Sequence, residues 1–109
     1  MRERLFVYGT LAPGRPNEHI LSGVSGTWEK GAVRGHLLPQ GWGAGQGYPG
    51  IVLDPSAQPV EGFVLTSEQL SQEWRRLDAF EGVGYERVLA QVELESGYLV
   101  QAFVYQLNR

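Results

Sequence analysis

Apolar positions along the chain fall mostly into short runs bounded by glycine, proline and polar clusters, which is the pattern of strands and tight turns. Residues 5–8 (Leu-Phe-Val-Tyr) form the first run, rich in aromatic and β-branched side chains, and predict a buried strand. Gly9-Thr10-Leu11-Ala12-Pro13-Gly14 interrupts it, with Pro13-Gly14 suited to the centre of a type II turn. Asn17 is placed to cap a short helix through Ile20 and Leu21, which Gly23 would stop. A strand over 27–38 follows, interrupted by Gly31 and Gly35 as in a bent or bulged strand. Residues 40–47 (QGWGAGQG) read as a glycine-rich loop. Two further strands are predicted over 48–53 and 60–65, joined by Asp54-Pro55-Ser56. The chain closes on a hairpin of residues 85–95 and 98–107 around Ser96-Gly97.

The second hairpin arm carries apolar side chains on both faces: Leu99, Phe103 and Tyr105 on one, Val100, Ala102 and Val104 on the other. A strand of that kind must be covered on both sides, as in a closed or covered sheet. Six strands and one substantial helix in 109 residues predict an α+β fold, a small mixed β-barrel with short flanking helices. No repeat or linker divides the chain, so residues 1–109 are expected to form a single domain.

Residues 66–82 (TSEQLSQEWRRLDAFEG) break the strand rhythm and follow the helical period. A helix starting after Thr66, with Thr66 and Gln69 as a capping box, puts Leu70, Trp74 and Leu77 on one apolar stripe. Glu81, eleven positions past Leu70, points within roughly 20° of it. A carboxylate therefore stands where an apolar residue should. Burial without a partner makes such a group hold its proton more tightly, which suits acid/base chemistry near neutral pH. Asp78, three residues earlier, and the helix C-terminus at Gly82 would push the same way. Periodicity leaves one other arrangement, in which the helix unwinds at Phe80 and Glu81 lies in water. Asp78 is expected in a surface ion pair with Arg75 or Arg87.

Other chemistry is sparse. With no cysteine, thiolate nucleophiles, disulfides and Cys-based metal sites are excluded. His19 and His36 do not approach metal-ligand spacing, and neither a metal nor a cofactor is expected. A net charge of −3 with scattered Lys and Arg argues against nucleic acid as a partner. No apolar stretch is long enough for a signal peptide or membrane span, so a soluble, cytoplasmic protein is expected. The glycine string of 41–47 lacks the strand and helix that a dinucleotide loop requires. Tyr8-Gly9-Thr10-Leu11 admits two readings: a concave anion site of outward-turned backbone N–H groups, or a tight turn with nothing bound. Trp28 and Trp42 are expected in the core or at a pocket rim.

Several strings occur in one order: Phe6-Val7-Tyr8-Gly9-Thr10-Leu11 with Gly14 and Asn17, Tyr48-Pro49-Gly50, Val60-Glu61-Gly62, Leu77-Asp78-x-Phe80-Glu81-Gly82 and Tyr85-x-Arg87. Together they resemble the γ-glutamylcyclotransferase-like family, which includes the AIG2-like proteins and γ-glutamylamine cyclotransferases. The resemblance implies a mixed barrel with a cavity at one end. It implies an amide-cleaving enzyme that cyclises the glutamyl group of a γ-glutamyl amine or amino acid to 5-oxoproline and frees the amine. It implies Glu81 as the catalytic acid/base, substrate binding by Tyr8, Gly9, Thr10 and Leu11, and Tyr48 and Tyr85 beside the cavity. The alternative is a non-catalytic binding protein for a carboxylate ligand on the same fold. Neither the particular γ-glutamyl compound nor the oligomeric state follows from the sequence.

Overall fold

A computed structural model of the protein describes residues 2–9, 13–15, 18–38 and 50–108. Among these residues six strands and one α-helix follow in order: β1 (Glu3–Val7), β2 (Thr27–Leu38), β3 (Gly50–Leu53), β4 (Pro59–Ser67), α1 (Trp74–Glu81), β5 (Tyr85–Leu94) and β6 (Leu99–Leu107). Short 3₁₀ turns at Glu18–Ile20 and Leu70–Gln72 flank the sheet. The expected loop over 40–47 and the expected cap Asn17 lie outside the described residues, as does Trp42. Trp28 is 38% exposed, which rules out the core, one of the two places expected for it.

Strand pairing closes a ring. β1 pairs β4, β4 pairs β2, β2 pairs β5, β5 pairs β6, and β6 returns to β1 in parallel, Leu5 beside Phe103 and Phe6 beside Val104. β3 is the extra strand, antiparallel to β2 and touching β6 at Gln106 through Ile51. This is the closed mixed barrel anticipated from the two-faced apolar pattern of β6.

The alternation of side chains divides the core into two layers. Phe6, Val64, Val92, Ala102 and Val104 join Val33 and Ile51 in one cluster, the filling of the barrel. The neighbours one step along the same strands, Leu5, Val7, Leu65 and Tyr105, face the other way and meet Leu70 and Leu77. Thus the barrel wall is apolar on both sides because one side is filled and the other carries α1. Fully burying a leucine side chain contributes roughly 1.5–3 kcal/mol, and Leu70 and Leu77 are both fully buried.

The helix is shorter than its periodicity predicts. Thr66 continues β4, paired with Arg4 on one side and Thr27 on the other. Ser67 then turns the chain: its buried hydroxyl donates to the Ser25 carbonyl and accepts from the Gln69 N–H at 2.9 Å. The Gln69 side chain instead accepts from the Ser25 N–H at 2.9 Å, so the Thr66/Gln69 capping box does not form. Two ladder partners at Thr66 outweigh one local cap. The apolar stripe survives the change, because Leu70 sits in the 3₁₀ turn and Leu77 in α1, both against the barrel wall.

Among the described residues no helix is long and apolar enough to cross a membrane. Turn geometry follows sequence at Gly14 and Gly97, with φ of +80° and +98°. Gly62 meets a different demand: a Cβ there would collide with the Val7 carbonyl and the Phe6 ring, which crosses over β4. Gly62→Ala is therefore expected to lower stability by about 1–3 kcal/mol, measured by urea unfolding. An unchanged midpoint would contradict this packing.

Candidate active site

Leu77 fixes the rotation of α1. With that side chain fully buried, the helix runs one more turn along the barrel wall and ends at Glu81. Gly82 stops it at φ +83° and ψ −176°, a conformation that side chains with a Cβ disfavour, and its N–H bonds the Asp78 carbonyl at 3.0 Å. Glu81 is accordingly helical and not unwound at Phe80. Its side chain is half-buried, and that burial pushes its carboxyl pKa up to about 7.

Three tyrosines, one just past β1 and one each in β5 and β6, are coupled to the charge of this carboxylate. Its charge helps raise the hydroxyl pKa values of Tyr8, at the end of β1, Tyr85, at the start of β5, and Tyr105, in β6. Burial is the larger cause for each. The Tyr8 hydroxyl donates to the Tyr105 carbonyl at 2.6 Å and accepts from the Ile51 N–H at 3.1 Å. Its proton is thus committed to the backbone, and Tyr8 ties β1, β3 and β6 together at this end of the barrel.

Asp78 forms the ion pair expected of it, with Arg87. Arg87 donates from Nε to Oδ1 at 2.9 Å and from Nη2 to Oδ2 at 3.2 Å. The Tyr105 hydroxyl adds a hydrogen bond to Oδ1 at 2.6 Å. The Arg87 guanidinium beside Asp78 holds its carboxyl below the usual range. The expected help from Asp78 in raising Glu81 is not seen: burial is what raises it, while Asp78 itself is paired with Arg87. Arg87 itself lies 4.5 Å from the Trp74 ring centroid and 5.0 Å from that of Phe103. The Trp74 indole N–H in turn donates to Glu3 at 2.9 Å.

A cleft of about 510 Å³ opens between α1 and β5, lined by Asp78, Ala79, Gly82, Val83, Tyr85, Glu86, Arg87 and Tyr105. It borders the last turn of α1, though the Glu81 side chain is not in its lining. Gly9 follows β1 without a left-handed φ, and a Cβ there would meet no atom of the described residues within 4 Å. The structure thus gathers Glu81, Tyr8 and Tyr85 of the predicted site. Thr10, Leu11 and Tyr48 lie outside the described residues. Among those described, no group of three or more His, Cys, Asp or Glu could hold a metal ion.

Sequence reasoning missed Tyr105 and the aromatic clamp on Arg87. The signal was available in the strand period: Arg87 sits directly opposite Tyr105 in the β5–β6 ladder, on the face that also carries Phe103.

The chain matches the family described as gamma-glutamyl cyclotransferase, AIG2-like, over residues 5–109. It is 31% identical over 113 residues to the gamma-L-glutamyl-butirosin B gamma-glutamyl cyclotransferase of Niallia circulans, covering 96% of this chain and 67% of that one. An AIG2-like protein from Mus musculus shares the fold with a TM-score of 0.76 and 29% identity, over 96% of this chain and 76% of that one. YkqA from Bacillus subtilis matches with a TM-score of 0.73 and 29% identity, over 99% of this chain but only 36% of its own length. With a matching barrel, helix and family profile across nearly all of its length, the chain belongs to the gamma-glutamyl cyclotransferase, AIG2-like family.

Proposed function

We propose that the protein is a γ-glutamyl cyclotransferase that converts the glutamyl group of a γ-glutamyl amine or amino acid to 5-oxoproline, with Glu81 carrying the proton. The observation that carries this reading is the proton affinity of Glu81, raised to about 7 by burial at the last position of α1. Membership of the family and the name of the Niallia circulans relative support the same chemistry.

The substrate supplies its own nucleophile. Its α-amine attacks its own γ-carbonyl carbon, forming the ring C–N bond, and the bond to the departing amine then breaks. Holding the two ends face to face is an effect of proximity and orientation. The ionised Glu81 takes a proton from the α-ammonium and returns it to the leaving nitrogen. The second proton that the ring nitrogen sheds on becoming an amide ends on the freed amine, which departs as an ammonium. One carboxyl thus serves as base and then acid. A group half-ionised near neutrality does both with little penalty.

The backbone from Tyr8 through Leu11 grips the substrate α-carboxylate in this reading, with Thr10 within that grip, and Tyr48 and Tyr85 flank the bound glutamyl group. A Cβ at Gly9 would meet no atom of the described residues within 4 Å, which is compatible with a ligand lying against that backbone. Tyr8 acts as a strut beneath the site, because both of its hydroxyl bonds go to the backbone.

Glu81→Gln keeps the shape and removes the titration. It is expected to fold normally and to lose on the order of 10²-fold to 10⁴-fold in 5-oxoproline release from a panel of γ-glutamyl compounds. Full turnover in this variant would contradict the mechanism. A wild-type protein that binds such compounds, seen as a thermal shift, without releasing 5-oxoproline would favour the non-catalytic alternative.

The same burial has a stability cost whose sign is fixed. A carboxyl whose folded pKa is raised favours folding only while protonated in both states. As pH rises from about 4.5 to about 7, the unfolded chain ionises first and stability falls. The shift corresponds to about 3 kcal/mol at most. Relative to wild type, Glu81→Gln should therefore gain stability across that interval and hold the gain at pH 8, measured by urea unfolding at a series of pH values. A pH-independent difference would contradict a buried, titrating Glu81.

A further inference from the structure

Arg87 is held more firmly than an ordinary exposed ion pair, which contributes little on its own. Both oxygens of Asp78 are engaged by its guanidinium, and the Tyr105 hydroxyl adds a third hydrogen bond to the same carboxylate. Trp74 and Phe103 lie against Arg87, themselves in edge contact with ring centroids 5.0 Å apart. Trp74 and Asp78 both stand on α1, Arg87 on β5, and Phe103 and Tyr105 on β6. The cluster therefore ties the helix to the hairpin one turn before Glu81.

We propose that Arg87 is a positioning residue for Glu81: by clamping both oxygens of Asp78 it pins the last turn of α1 to β5 and cancels the negative charge nearest Glu81 along the helix. This rests on the reading of Glu81 as the proton carrier. Tyr8 beyond β1, Tyr85 of β5 and Tyr105 of β6 are each coupled to the Glu81 charge, Asp78 stands three residues earlier on the same helix, and Arg87 of β5 is paired to Asp78. The tyrosines are neutral at physiological pH, with hydroxyls pushed to still weaker acidity. Asp78 and Arg87 are the two members of this set whose charges oppose each other. An uncompensated Asp78 would hold the Glu81 proton more tightly, and an uncompensated Arg87 would release it.

Opposed signs give the test. The Glu81 carboxyl is titrated by ¹³C NMR without substrate in Arg87→Gln, Asp78→Asn and the double variant. Arg87→Gln keeps a planar polar group at this position and should raise the midpoint, on the order of half a pH unit. Asp78→Asn should lower it by a similar amount, and the double variant should return near the wild-type value. The acidic limb of kcat/KM should move with the midpoint in each. Simple loosening of the helix would admit water and lower the midpoint in both single variants, and that result, or no shift in either, would overturn the proposal. Where Arg87→Gln does not fold, Tyr105→Phe removes a hydrogen bond from Asp78 without changing charge. It should leave the midpoint in place while Asp78→Asn lowers it; equal falls in both would overturn the proposal. Opposed shifts in a protein that releases no 5-oxoproline would defeat the functional reading alone.

Discussion

Leu77 cannot face water, and this constraint orders the rest of the site. Its burial against the barrel wall sets the rotation of α1, and four residues later that rotation carries Glu81 inward. A helix of eight residues is too short to hold itself together and draws its stability from packing. The apolar contact thus brings along a charged group that would otherwise stay in solvent. The result is a carboxyl whose proton affinity is matched to neutral pH by desolvation alone.

The barrel makes that placement rigid. Side chains of one parity on β1, β4 and β6 fill its interior, and those of the other parity form the floor on which α1 rests. Tyr8 belongs to the inner set, and its hydroxyl joins the backbones of β3 and β6. Tyr105 belongs to the outer set and reaches Asp78. A single strand, β6, therefore connects the turn that follows β1 with the last turns of the helix. The proposed chemistry asks for one proton carrier and one anion grip at fixed separation, and a closed barrel with these cross-strand ties is a rigid frame for such a pair.

Much of this was legible in the chain. The two-faced apolar pattern of 98–107 led to a closed barrel, and the spacing of Leu70, Trp74 and Leu77 led to an inward Glu81. The strand over 27–38 was placed at its observed limits. Where local signals competed with tertiary pairing, the sequence misled. Thr66 and Gln69 have the spacing of a capping box, yet Thr66 is taken by strands on both sides and Ser67 does the capping. Asp78 has the spacing to repel Glu81, yet Arg87 meets it from nine residues further along, across the helix–strand turn. Cross-strand partners of this kind depend on register, and the register of β5 against β6 is set by a turn of three residues between Leu94 and Tyr98.

Acid/base character at Glu81 through exclusion of water is the centre of the account, and a carboxyl ¹³C titration of the wild-type protein reads it without any substrate. The account predicts one glutamate with a midpoint near 7, absent from the Glu81→Gln spectrum. A Glu81 resonance that titrates at the ordinary value near 4.5 would contradict it, leaving the helix end as packing without chemistry.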